Sequence, residues 1–297
     1  MYKANYWRCL INIMKHKILV LGGDKRMSYA AREFVNMGFD VGVYANDYAA
    51  EQNHISPQKD LGVAMDGYGN IVMGIPLSKD NCRLSAPLCN EEIFLDDILS
   101  CVKPHHKIAV GMAGDFLISC VKRGAECTDY GAMEEFALYN ATVTAEAILA
   151  LLISNMPTAI SDSRFLILGY GRIGKALAGM LKGMGAKVTA TARKSKDFAM
   201  MDIAGINPMK TGNYGELDCF DAVINTIPHV TADEGFYVQL SGGTLIIDAS
   251  SYPGYMDADC AKKHGATLIG AFGLPGKTAP ATSGKIIAKT VAGIFDM

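Results

Sequence analysis

Residues 164–185 read RFLILGYGRIGKALAGMLKGMG. An apolar, β-rich run ends at Gly169, and a helical pattern starts at Arg172. Between them stand Gly169-Tyr170-Gly171-Arg172-Ile173-Gly174, a G-x-G-x-x-G turn in the strand-to-helix context that a dinucleotide fingerprint requires. The first glycine permits the tight turn, and the second lets backbone approach a pyrophosphate. The third lets helix and strand pack closely, so that the N–H groups opening the helix meet the anion. A plain tight turn is the competing reading, and the flanking strand and helix count against it.

The next strand, KVTATA (187–192), sets the choice of dinucleotide. An NAD site places Asp or Glu at its end, about 20 residues beyond the first glycine, to bind the ribose 2′-hydroxyl. Here the chain reads Thr191-Ala192-Arg193-Lys194-Ser195, with no carboxylate. An arginine, a lysine and a hydroxyl suit a 2′-phosphate, so NADP is expected over NAD. The alternative is a solvated Arg-Lys pair.

Strands alternate with helices on both sides of this turn. Before it come KILVL (17–21), VGVYA (41–45), NIVMG (69–73) and KIAVG (107–111), with helices near 27–37, 91–100 and 115–122 and a short strand near 125–128. The stretch 46–68 reads as loop. After it come DAVINT (221–226), TLIIDAS (244–250) and ATLIGA (266–271), a helix at 257–264 and a last helix near 284–295. This alternation predicts parallel sheets covered on both faces. The fold expected is α/β: two Rossmann-like, doubly wound domains arranged as in 2-hydroxyacid dehydrogenases. The expected boundaries are a tail at 1–16, a substrate domain at 17–138 and an interdomain helix at 139–156 with Asn140 as N-cap. An NADP domain at 157–280 and a C-terminal helix at 281–297, returning to the first domain, complete the division.

The 297 residues carry 28 basic and 30 acidic side chains, a formal charge of −2. No like-charge block marks a nucleic-acid or membrane surface. No uninterrupted apolar run reaches the ~18 residues of a membrane span. Residues 1–16 lack a signal-peptide core and read as a loose tail, or as a start codon placed early. The eight cysteines form no CxxC pair or zinc spacing, so no metal site is expected, and they read as reduced, mostly buried small residues. Glycine is raised, 31 residues against about 21 at the average ~7%.

Loops at strand carboxyl ends should line the dinucleotide crevice: Thr226-Ile227-Pro228-His229, the segment holding Ser250, and Gly273-Leu274-Pro275-Gly276-Lys277. His229 is a weak candidate for acid–base chemistry, or else a surface histidine. His105 and His106 lie before a strand and read as solvated. Gly22-Gly23-Asp24-Lys25-Arg26 lacks the third glycine. It is either a small-anion site at a helix N-terminus or a capped turn with exposed basic residues.

The ordered set LGGDKR (21–26), YNATVTAEAILA (139–150), GYGRIGKALA (169–178), INTIP (224–228), IDASSYPG (247–254) and GLPGKTAPATSG (273–284) resembles the A subunits of dipicolinate synthase from spore-forming bacteria. The resemblance runs from about Lys17 to the last helix. It implies NADP-dependent oxidation of a dihydrodipicolinate to pyridine-2,6-dicarboxylate during sporulation, in the cytoplasm of the mother cell. It also implies a partner, the B subunit of dipicolinate synthase. A homo-oligomer stays open. Implied cofactor positions are Gly169, Gly171, Arg172, Ile173, Gly174, Arg193, Ser195, Thr226, Ile227 and Pro228; Tyr170, Ala192, Lys194 and Ser250 join them as neighbours. Substrate candidates are Gly23, Asp24, Lys25, Arg26, Gly273, Leu274, Pro275, Gly276, Lys277 and Pro280. Tyr252, Tyr255 and Ala281 depart from the family pattern, which leaves Lys277, Lys285, Arg26 and Arg83 as candidate cations for the carboxylates. The alternatives are a 2-hydroxyacid-type dehydrogenase and a non-catalytic NADP-binding subunit of a complex.

Overall fold

The computed structural model describes residues 17–53, 55 and 57–295. The expected tail at 1–16, with Cys9, lies outside them. The described residues fall into two compact units, one running to Tyr139 and resuming at Ala279, the other spanning Asn140–Thr278.

The first unit is a five-stranded parallel sheet in the order β2-β1-β3-β4-β5. Its strands are β1 (Lys17–Leu21), β2 (Asp40–Tyr44), β3 (Asn70–Met73), β4 (Lys107–Val110) and β5 (Glu126–Asp129). The inner strands are buried on both faces, which is why they read as unbroken apolar runs. Helices α1 (Lys25–Asn36), α2 (Asp47–Asn53), α3 (Leu61–Gly67), α4 (Leu95–Cys101) and α5 (Asp115–Lys122) connect them. The long helix α6 (Glu134–Asn155) follows, and the division between the units falls inside it.

The second unit is a six-stranded parallel sheet in the order β11-β10-β9-β6-β7-β8. It comprises β6 (Arg164–Leu168), α7 (Arg172–Gly183), β7 (Lys187–Ala192), α8 (Ser195–Ala204), β8 (Asn207–Lys210), β9 (Ala222–Asn225), α9 (Glu234–Val238), β10 (Leu245–Asp248), α10 (Ala258–Lys263), β11 (Thr267–Gly270) and α11 (Leu274–Thr278). Counted within the unit this is 3-2-1-4-5-6, the doubly wound order, with its reversal between β6 and β9. The last helix, α12 (Pro280–Ile294), packs on α1 in the first unit. Gly284 is the close-approach point: a Cβ there would lie 2.6 Å from the Arg26 carbonyl oxygen.

Several readings change. The 46–68 stretch holds two helices. Asn46 Oδ1 accepts from Ala49 N at 2.9 Å to open α2, and Asp60 Oδ1 accepts from Val63 N at 2.8 Å to open α3. Asn140 is not an N-cap, because α6 starts at Glu134 and carries it in its interior. β8 is an edge strand that its Pro208 disguises. The Gly273–Gly284 segment is helical for most of its length, with Pro280 opening α12. Of the seven described cysteines only Cys120 is buried, and Cys82 and Cys219 are exposed.

By length and composition α6 could cross a membrane, although no single apolar run within it is long. Its Phe136 sits in the core of the first unit, and Ile148 and Leu152 sit in that of the second. His106 is fully buried rather than solvated. Its Nδ1 accepts from Lys103 N at 3.1 Å, so its Nε2–H donates to the Met65 carbonyl, also at 3.1 Å.

Candidate dinucleotide site

The carboxyl ends of β6, β7 and β9 meet at the reversal of the second sheet and enclose a cavity of about 390 Å³. Gly169, Tyr170 and Gly171 form one wall, Thr191, Ala192, Arg193 and Lys194 a second, and Thr226, Ile227, Pro228 and His229 a third. Asp197 and Thr211 complete it, and neither stands out in the sequence. Asp197 sits one helical turn beyond the strand end, where a search for a terminal carboxylate does not look.

A dinucleotide fits these residues. Gly169 has φ +98°, and a Cβ there would lie 2.7 Å from Thr226 Oγ1. Gly171 faces open space, which leaves room for pyrophosphate against the first turn of α7. At Gly174 a Cβ would drive into the Gly169 carbonyl oxygen, so this glycine sets how closely helix meets strand. Gly169 N donates to Thr191 Oγ1 at 2.9 Å, and Thr226 Oγ1 donates to the Leu168 carbonyl at 2.9 Å. The loops are therefore tied together before any ligand arrives.

Other expected positions support the cavity or lie off it. Ile173 packs on the core beneath the turn, and Arg172 and Ser195 are exposed outside the lining. Ser250 is buried, with its hydroxyl turned onto Asp248 Oδ1 at 2.6 Å, so it holds that carboxylate instead of lining the cavity. Leu274 and Pro275 are buried in the second unit; their side chains are packing residues, while Gly273, with φ +64°, and Lys277 are exposed. His229 stands on the cavity wall and is exposed.

Asp248 is the least legible residue of the region. It is 2% exposed, and its carboxylate accepts from Asn225 Nδ2, Ser250 N, Ser250 Oγ, Tyr255 N and Met256 N at 2.6–3.1 Å. Burial alone would raise its pKa, but the hydrogen bonds from Ser250, Tyr255 and Met256 outweigh it and hold the carboxyl below its ordinary range. Tyr255 thus serves through its backbone, while Tyr252 is 82% exposed and edge-on to Phe272.

In the first unit the sheet order reverses between β1 and β3. There the Asp24 carboxylate caps α1 by accepting from Arg26 N at 3.0 Å. The Arg26 guanidinium binds the same carboxylate at 2.8 Å and also donates to the Ile75 carbonyl. The turn is therefore capped internally, and Lys25 is its exposed cation, 5.5 Å from the Tyr48 ring centroid. Asn46, 1% exposed, donates to the Gly22 and Gly23 carbonyls and fixes the turn from below. Arg83 pairs with Asp80 at 2.8 Å and Glu92 at 2.6 Å in an exposed cluster.

Residues 17–130 match the family of N-terminal domains of the dipicolinate synthase A subunit. Residues 132–230 match the NAD-binding domain of D-isomer specific 2-hydroxyacid dehydrogenases. Over 280 residues the chain is 27% identical to the dipicolinate synthase A subunit of Bacillus subtilis (strain 168), spanning 93% of this chain and 94% of that one. This chain is similar to the dipicolinate synthase A subunit over almost its whole length. The crystal structure of the Bacillus halodurans A subunit superposes with a TM-score of 0.85 and 24% identity, covering 96% of this chain and 99% of that one. The crystal structure of the Bacillus subtilis protein gives 0.81 and 26%, covering 94% and 95%. The fold is that of a two-unit α/β dehydrogenase, and the second unit is a nicotinamide-dinucleotide-binding domain.

Proposed function

We propose that this chain is the A subunit of a dipicolinate synthase, an NADP-dependent oxidoreductase that aromatises dihydrodipicolinate to pyridine-2,6-dicarboxylate during sporulation. It works in the cytoplasm of the mother cell, partnered by a B subunit. The observation that carries this reading is the similarity to dipicolinate synthase, which runs through the first unit as well as the dinucleotide domain. Arg193 and Lys194 on the cavity wall, with Ser195 at the start of α8, favour NADP because they offer cations and a hydroxyl to a 2′-phosphate.

The reaction removes one hydride and one proton from the ring, and the bound nicotinamide supplies the hydride acceptor. Aromaticity provides much of the driving force, so the chain's work is mainly orientation. Gly171 and the N–H groups of α7 take the pyrophosphate. Thr226, Ile227 and Pro228 bound the far wall of the cavity. His229, on that wall, is the candidate to accept the ring proton and pass it to water. The candidates for the substrate carboxylates are the exposed cations Lys25, Lys277 and Lys285, with Arg26 and Arg83, which would have to share their present acidic partners.

The test is to add dihydrodipicolinate, freshly formed from aspartate semialdehyde and pyruvate, to purified chain with NADP, with and without the B subunit. Nicotinamide reduction should appear together with dipicolinate. Absence of both from the two mixtures alike overturns the reading. Arg193→Ala should weaken NADP binding by about tenfold or more while leaving NAD nearly unchanged; equal NADP affinity in the variant overturns the cofactor assignment. The match of residues 132–230 to a 2-hydroxyacid dehydrogenase domain favours a second reading, oxidation of a small 2-hydroxy acid. Turnover of D-lactate, with none of dihydrodipicolinate, would establish it.

A further inference from the structure

Asp197 places a carboxylate on the wall of the cavity that also carries Arg193 and Lys194. Its side chain is 17% exposed, and its Oδ1 lies 3.8 Å from Lys175 Nζ on the neighbouring helix α7. Lys175 in turn stands 5.4 Å from the ring centroid of Tyr170, another wall residue. Lys175 thus stands between the Asp197 carboxylate on α8 and the Tyr170 ring on the glycine turn.

An unpaired carboxylate here would oppose a 2′-phosphate, because like charges a few ångströms apart repel in a partly desolvated pocket. The same carboxylate is the kind of group that accepts a hydrogen bond from a free ribose 2′-hydroxyl. Lys175 decides between these roles by neutralising it. An acidic residue in the first turn of a helix also stabilises the helix dipole. That effect is equal for both dinucleotides, so it cannot alter their ratio.

We propose that the Lys175–Asp197 pair is a selectivity device: Lys175 masks the Asp197 carboxylate so that the pocket tolerates a 2′-phosphate, and without Lys175 the pocket turns toward the unphosphorylated dinucleotide. The proposal rests on the NADP reading above and names two residues that tune it from outside the Arg193-Lys194-Ser195 turn.

Calorimetric titration of the full chain with NADP and with NAD tests it on wild type, Lys175→Gln, Asp197→Asn and the double variant, each checked for unchanged thermal unfolding. Lys175→Gln should lower the NADP-to-NAD affinity ratio about tenfold, and Asp197→Asn should raise it. In the double variant the loss caused by Lys175→Gln should disappear, since no carboxylate is left to mask. Equal changes for both dinucleotides in Lys175→Gln, or a loss that persists in the double variant, overturns the device. A wild type that prefers NAD would sink the NADP reading alone, because the coupling between the two positions is read from the ratios whichever dinucleotide binds more tightly.

Discussion

Asn225 Nδ2 donates to Asp248 Oδ1 across 3.1 Å and joins the carboxyl ends of the adjacent strands β9 and β10. Asn225 Oδ1 in turn accepts from Ile227 N at 3.0 Å, so the loop forming one wall of the dinucleotide cavity hangs from this pair. On its other side Asp248 gathers the backbone of Ser250, Tyr255 and Met256. One buried carboxylate thereby shapes two loops.

Asp248→Asn keeps the size of the side chain and removes its charge, and its amide cannot accept from all five donors. The expected loss is about 3 kcal/mol, measured by urea denaturation at neutral pH. The sign with pH follows from the lowered pKa. The native state holds fewer protons at Asp248 than the unfolded chain, so the contribution is present above about pH 4 and fades as pH falls further. The variant should lose that part of the acid limb. An unchanged limb would show that the carboxylate is not what holds the loops.

Gly171 and Gly174 should separate binding from folding. Alanine at Gly174 presses on the Gly169 carbonyl, where backbone meets backbone, and should unfold or severely destabilise the second unit. Alanine at Gly171 meets open space and should cost no more than about 1 kcal/mol, through the helix cap. It nonetheless occupies the room needed for pyrophosphate, so dinucleotide affinity should fall by at least about tenfold. Thermal unfolding with and without NADP reads both effects; a Gly171→Ala chain that binds normally would place the pyrophosphate elsewhere.

Gly284→Ala tests the seating of the last helix. The added methyl meets the α1 backbone at the Arg26 carbonyl and Ala30 N, which cannot rotate away as a side chain would. A loss of about 2–3 kcal/mol is expected in urea denaturation, less the small gain in helix propensity. Because this contact lies in the first unit, the NADP affinity of the second should stay at the wild-type value.

The parts of the fold legible in the sequence are those where one local signal suffices. KILVL and RFLIL are parallel strands buried on both faces, and an unbroken apolar run announces them. The glycine turn is legible as a local motif, and Arg193 because the motif fixes where to look, the end of the next strand about 20 residues on. The helices in 46–68 stay hidden because they are short and depend on single polar side chains, Asn46 and Asp60, whose capping bonds leave no periodic trace. Asp197 and Thr211 come to the cavity from separate elements, with Lys175 reaching Asp197 from behind the wall, and only the doubly wound sheet brings them together. Asp248 looks like the polar end of a strand. Nothing in its neighbours says that five donors converge on it.

His106 reads as solvated because its partners are remote or backbone: the Met65 carbonyl lies 41 residues away, and Lys103 contributes its N–H. Burial, with His105 alongside, lowers its pKa to about 4, against an ordinary value near 6.5. The Asp66 carboxylate, paired with Lys103, stands nearby and works in the opposite direction but does not prevail. Between pH 6.5 and 4 the unfolded chain therefore binds a proton here that the native chain does not, and stability must fall as pH falls through that window. The loss is bounded at about 3 kcal/mol, and it lies above the window in which Asp248 titrates. His106→Gln keeps an acceptor for Lys103 N and a donor for the Met65 carbonyl without a titrating ring. Urea denaturation at about pH 7 and about pH 5 should show a drop in the wild type and a much smaller one in the variant. An equal drop in both chains would mean that another group carries the pH dependence.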